Sequence, residues 1–183
     1  MPSHWTQDAF TAAARFAAEA HHRTQALVPG TRLPYFYHVV LVAMETTAAL
    51  AVEDGHGGDL AVQCALLHDV LEDTPATAHQ LAAQFGPAVT AGVRALTKNT
   101  AIADKSARMR DSLNRIRRQP SAVWVVKLAD RIVNLQPPPL DWDDAKVARY
   151  RLEAQEICDT LGAASPVLAD RLAGKIRRYG CAG

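Results

Sequence analysis

An all-α fold is predicted by three features of the chain. Ala, Leu, Arg and Glu recur throughout its 183 residues, and these are good helix formers. Alternating β-branched runs of the strand type are scarce. Apolar residues recur at helical spacing in segments bounded by Ser, Thr, Asp, Gly or Pro, giving about nine helices in one compact unit spanning residues 1–183.

The segments follow in order. Residues 5–23 form an Ala-rich helix with Ser3 placed to cap it, and Gly30 and Pro34 mark the loop beyond. A second helix runs from about Tyr35 to Val52, and GHGGD at 55–59 then breaks the chain. Asp59 caps a third helix expected to continue to about Glu72. Thr77 and Gln80 have capping-box spacing for a short helix ending at Gly86, and Pro87 starts the next, to about Leu96. Helices at about 104–118, 121–135, 141–161 and 165–179 complete the series, with PPP at 137–139 separating two of them.

Composition narrows function. Lys plus Arg number 20 and Asp plus Glu 19, so the net charge of +1 argues against a protein that coats nucleic acid. It leaves room for a local basic pocket. Cys64, Cys158 and Cys181 are few, odd in number and widely spaced, which fits a reducing interior and no disulfide framework. MPSHWTQDAF lacks the pattern of a signal peptide, and no run approaches the ~18 apolar residues of a membrane span. The expected location is the cytoplasm, without membrane or nucleic-acid partners.

LLHDVLEDT at 66–74 carries the chemistry. On a continuous helix, His68 and Glu72 share a face, as do Asp69 and Asp73, beside an apolar stripe of Leu60, Cys64, Leu67 and Leu71. Carboxylates gathered near an interior repel one another and lose hydration, and a bound cation removes that conflict. Imidazole and carboxylate donors suit Mn²⁺, Fe²⁺ or Zn²⁺. A surface patch ending in an Asp73–Thr74 turn is the plain alternative.

Two more candidates lie elsewhere. His38 begins an apolar helix in LPYFYHVVLVAM, and Asp130 sits in the apolar run WVVKLADRIVNL, where an unpaired carboxylate is costly. A core histidine bonded to its surroundings, and an ion pair from Asp130 to Lys127 or Arg131, would account for each singly.

In the order H…HD…D, these residues resemble the signature of the HD superfamily of metal-dependent phosphohydrolases. The chain is similar to the hydrolase domain of the RelA/SpoT family and to the small alarmone hydrolases that include the metazoan SpoT homologue. The similarity spans roughly residues 8–179. It is carried by FAAEAHH, PYFYH, ALLHDVLEDT, FGPAV, LTK, KLADRIVNL and DWDDAKVARY. It implies an HD-domain fold and a Mn²⁺ site, other divalent metals being possible, held by His38, His68, Asp69 and Asp130. Glu72 and Asp73 match the pair that positions and activates the attacking water. Asn134 matches an asparagine beside the substrate, and Trp142, Lys146 and Tyr150 fall on a substrate-facing helix.

The implied reaction removes pyrophosphate from the 3′ position of ppGpp or pppGpp, returning GDP or GTP. Arg23, with His22, Arg32 and Lys98, is a candidate for holding phosphates, against ordinary surface charge. Trp142, Lys146 and Tyr150 at i, i+4 and i+8 offer an aromatic plane, a cation and a hydroxyl, though an amphipathic helix gives the same spacing.

Three departures from the family pattern stand out. Val39 replaces a usual proline, HHRTQALVPGTRL is poor in basic residues, and QPPP follows NL. The chain is too short for a synthetase or regulatory domain, so hydrolysis alone is expected. Two alternatives remain: a phosphohydrolase of another nucleotide, such as a deoxynucleotide or phosphorylated dinucleotide, and a non-catalytic nucleotide sensor. The spacing assigns no role to His4, His21, His56 or His79, and none to oligomeric state.

Overall fold

A computed structural model describes residues 4–180. Among them are nine α-helices and one 3-10 turn: α1 (Gln7–Thr24), α2 (Phe36–Leu50), α3 (Gly58–Leu67), α4 (Val70–Asp73), α5 (Ala78–Leu96), α6 (Lys105–Ile116), α7 (Ser121–Asn134), α8 (Asp144–Leu161) and α9 (Pro166–Arg178), with Gly162–Ala164 between the last two. The described residues contain no strand, only an isolated bridge between Leu27 and Pro34 in the α1–α2 connection.

The centre is built from the most apolar segments. Helix α3 packs against α1, α2, α5 and α7, and α7 also packs against α8 and α9. In α7 every residue from Ala122 to Val133 is buried except Trp124, so this helix has little solvent face and lies inside the fold. Gly92 lets α5 approach α3: a Cβ there would meet Cys64 Sγ at 2.7 Å and Val123 Cγ2 at 3.0 Å.

Side-chain caps set most helix starts. Thr6 caps α1 by accepting from Ala9 N, in place of the expected Ser3, which lies outside the described residues. Thr77 and Gln80 form the anticipated reciprocal capping box. Asp104, Asp143 and Ser165 cap α6, α8 and α9. Asp59 is not the cap of α3; Gly57 holds that position, and Asp59 instead accepts from Thr6 N and Oγ1, pinning the start of α1 to α3.

One boundary differs from expectation in a way that matters. The helix expected over 59–72 is two helices, α3 and α4, joined through His68 and Asp69, with Asp69 at φ −99° and ψ −1°. A continuous helix turns about 100° per residue, so adjacent residues diverge. The turn allows both to face one interior point, with Asp69 in the bridge region that active-site residues often occupy. The two helices expected on either side of Gly86–Pro87 are present as the two halves of α5, separated by the non-helical backbone of Gly86 (φ 80°, ψ 176°).

Candidate metal centre and adjoining clefts

Three segments meet at one buried point. His38 comes from the first turn of α2, His68 from the end of α3, and Asp130 from α7; their ligand atoms all lie within 4.8 Å of one another. Asp130 Oδ1 is 3.5 Å from His38 Nε2 and 3.9 Å from His68 Nε2. Donors bound at about 2.0–2.2 Å from one ion are separated by such distances. Both Nε2 atoms are buried with no hydrogen-bond partner. His68 Nδ1 lies 2.8 Å from the Ala65 carbonyl, which accepts its proton and leaves Nε2 facing the cluster, where a metal would displace the proton that it carries. Orphaned imidazole nitrogens beside a carboxylate fit a divalent ion better than they fit a finished core.

Asp69 adjoins this group without belonging to the mutual set of three. Its Oδ2 is 3.0 Å from His68 Nε2 and 3.7 Å from His38 Nε2. The Tyr35 hydroxyl donates to the same oxygen at 2.6 Å. Asp130 is bracketed likewise: Lys127 Nζ donates to Oδ2 at 2.9 Å, and Asn134 Nδ2 donates to Oδ1. The expected pair to Lys127 is thus present, while Arg131 turns away to lie 4.4 Å from the Tyr150 ring centroid.

Protonation records the charge balance. Burial opposes charge on His68, yet Asp69 and Asp130 raise its pKa to about 9. Burial likewise opposes ionisation of Asp69, but His68 and the Tyr35 hydrogen bond hold its carboxyl well below the usual range. Burial works against Asp130 too, and the Lys127 charge with the two histidines more than compensates. The metal-free cluster therefore holds a proton where a cation would add positive charge.

The α3–α4 break places the acidic pair, Glu72 and Asp73, on a short helix of its own. The four groups lie on two helices in place of the continuous one expected, yet Asp73 stays close enough to Asp69 for their charges to repel. Glu72 accepts from Lys98 Nζ at 2.7 Å and Lys98 N at 3.0 Å, so the segment after α5 fixes its carboxylate. Asp73 is exposed, and burial of its carboxyl, then repulsion from Asp69 and Glu72, raises its pKa.

A cleft of about 570 Å³ opens beside His38. Asn134, Trp142 and Tyr150 line it with the prolines of the 137–139 loop. Trp142 precedes α8, which starts at Asp144, so the anticipated i, i+4, i+8 stripe is a turn followed by a helix. It holds together regardless: Trp142 and Tyr150 meet edge to face at 5.3 Å, and Lys146 Nζ stands 4.2 Å from the Trp142 ring centroid. Arg23 and Arg32 are exposed and do not line this cleft.

Tyr35 and the cations Lys105 and Arg108 escaped sequence reasoning. PYFYH places Tyr35 beside His38, but nothing in its spacing points to Asp69, 34 positions away.

Fold and site together define an all-helical, metal-dependent hydrolase. The HD domain family matches residues 13–166, and the chain belongs to that family. Among curated relatives, the guanosine-3′,5′-bis(diphosphate) 3′-pyrophosphohydrolase MESH1 of Xenopus tropicalis is 30% identical over 164 residues, covering 87% of this chain and 88% of its own. The Homo sapiens protein of that name is 29% identical over 173 residues, covering 92% and 93%. A solved structure described as a metazoan ortholog of SpoT that hydrolyzes ppGpp superposes with a TM-score of 0.79 at 26% identity, covering 97% of this chain and 98% of its own.

Proposed function

We propose that this chain is a manganese-dependent (p)ppGpp 3′-pyrophosphohydrolase, converting ppGpp or pppGpp to GDP or GTP and pyrophosphate. The observation that carries the reading is the convergence of two orphaned imidazole nitrogens and Asp130, one of those imidazoles, His38, also lining a cleft with Asn134, Trp142 and Tyr150. The relatives' activity supports the choice of substrate.

His38, His68 and Asp130 would hold the ion, with Asp69 as the fourth protein donor. When bound, the ion supplies Lewis-acid polarisation of a phosphoryl oxygen and lowers the pKa of water held beside it. The two imidazoles and two carboxylates suit Mn²⁺, although Fe²⁺ and Zn²⁺ take similar donors. Tyr35 and Asn134 orient Asp69 and Asp130. Asp73, its carboxyl pKa raised, takes the proton of the attacking water, and Glu72, steadied by Lys98, orients that water. The water oxygen joins the phosphorus attached to O3′, the P–O3′ bond breaks, and O3′ ends protonated. Tyr150 and Trp142 offer ring faces and edges to the base, Lys146 a cation at the rim, and Asn134 a neutral contact. Arg23 remains a phosphate candidate only if the substrate reaches beyond the cleft.

Cytoplasmic action is part of the proposal, supported by the free cysteines Cys64 and Cys158. No helix among the described residues is long and apolar enough to cross a membrane. Incubation of Mn²⁺-loaded protein with ppGpp, pppGpp, deoxynucleotides and phosphorylated dinucleotides tests the reading. Equimolar GDP and pyrophosphate from ppGpp is the expected outcome. Preferential turnover of another member of the panel would reassign the substrate, and tight ppGpp binding without turnover would make the chain a sensor.

A further inference from the structure

A second pocket includes Glu72 of the acidic pair in its wall, and its chemistry is opposite to that of the aromatic cleft. It has a volume of about 330 Å³ and is lined by Lys98, Lys105, Arg108 and Lys127 together with Glu72 and Glu153. Lys98 is engaged by Glu72, and Lys127 by Asp130 of the metal cluster. Glu153 approaches Arg131 at 3.9 Å. Arg108 is anchored through Nε and Nη2 to the Ile102 carbonyl at 3.0 and 2.7 Å, which fixes the guanidinium without neutralising it. Among the described residues no ion pair joins Lys105 or Arg108 to a carboxylate. Two uncompensated cations thus face a pocket whose wall includes the partners of Asp130 and of the acidic pair.

The aromatic cleft has the reverse character. Among the described residues lining it there is no lysine or arginine, and His38 is its ionisable base. Two neighbouring cations are committed to its rings: Arg131 lies against Tyr150 and Lys146 against Trp142. Where a bis-diphosphate needs charge at both ends, this chain offers it strongly at one.

Resting on the function proposed above, we infer that the site sorts its substrate by charge. The nucleoside enters the aromatic cleft, the 3′-diphosphate enters the Lys98–Lys105–Arg108–Lys127 pocket, and the 5′-phosphates contribute little to recognition. The Arg108 guanidinium and the Lys105 ammonium, neither paired with a carboxylate, suit a diphosphate, whose oxygens accept several charge-assisted hydrogen bonds, while Lys98 and Lys127 keep their partners Glu72 and Asp130. The uncharged cleft gives a 5′-phosphate no comparable partner.

Inorganic pyrophosphate is the direct probe, measured by calorimetry on the Mn²⁺-loaded chain. Lys105→Ala and Arg108→Ala are each expected to weaken its binding about 10-fold, the loss of one charge-assisted contact. Metal content and GDP affinity stay at parent values, and Arg108→Lys recovers part of the loss. Lys105 is exposed, so its truncation leaves the fold intact should Arg108→Ala disturb the Ile102 loop. A second arm compares guanosine 3′-diphosphates bearing no, one or two 5′-phosphates, with kcat/KM expected to agree within about threefold, a difference of under 1 kcal/mol. Unchanged pyrophosphate binding in both variants overturns the inference, as does a tenfold fall in kcat/KM on removing the 5′-phosphates. If the variants lose pyrophosphate while ppGpp is not hydrolysed by the parent, the pocket stands and the proposed substrate falls.

Discussion

The decisive atoms are His38 Nε2 and His68 Nε2, buried and without hydrogen-bond partners. A metal-free cluster must keep its charge balanced in another way, which is why His68 has its pKa raised to about 9 from an ordinary 6.5. That raised value has a definite sign. It stabilises the metal-free fold fully below pH 6.5, and the contribution is lost as pH rises towards about 9. Metal uptake expels the same proton, so affinity should climb with pH over that window, with proton release detectable in weakly buffered solution. Flat affinity between pH 6.5 and 9 would remove His68 from the site. Asp69→Ala should abolish both metal content and turnover, read by elemental analysis and product assay. Tyr35→Phe, deleting the 2.6 Å bond to Asp69, should weaken metal affinity about 10- to 100-fold with the fold retained. Glu72→Gln should keep the metal and lose catalysis, so full activity in that variant would exclude Glu72. As a candidate set, His38, His68, Asp69 and Asp130 were legible through the family resemblance, whereas placement in apolar runs asked only that each have a partner; His38, His68 and Asp130 are the three whose ligand atoms meet. Tyr35, Lys105 and Arg108 were not legible, because their importance arises only from what the fold places opposite them.

At the level of elements, punctuation was well written in the sequence. Thr77, Gln80, Gly86 and Pro87 mark their turn and kink as their chemistry requires. The break at His68–Asp69 carries no glycine or proline and could not be read locally. It follows from Asp69 bonding Tyr35 while the neighbouring His68 stays at the cluster, a tertiary demand that overrides helix propensity. Gly92 is the complementary case. Propensity alone makes Gly→Ala in a helix favourable by about 1 kcal/mol. Here the added Cβ would press on Cys64 Sγ at 2.7 Å, and overpacking costs about 1–3 kcal/mol. Steric cost should win, so Gly92→Ala is expected to lower the melting temperature. A raised melting temperature would show that α5 and α3 can separate without penalty.

Across the whole molecule, the candidate ion joins α2, the α3–α4 junction and α7, elements far apart in sequence that share the core. Binding there stabilises only the folded chain. At about 100 times the dissociation constant it adds about 2.7 kcal/mol, which for a chain of this size raises the melting temperature by about 5–10 °C. A chelator should reverse the shift. The candidate ligands touch both pockets, His38 lining the aromatic cleft and Asp130 pairing with Lys127 of the cationic pocket, so the polarity of the site belongs to the arrangement of helices and to no single motif. For that reason the sequence yielded the helical class and a candidate set of ligands, while the distribution of positive charge around them had to come from the fold.

The account rests on three side chains from three segments meeting at one ion. Titration of the chain with Mn²⁺, following loss of the free-ion paramagnetic signal, measures this directly. One tightly bound ion per chain is predicted, with binding lost in His38→Ala and in Asp130→Asn while both variants keep parent helicity. Parent-like Mn²⁺ binding by those two folded variants would contradict it.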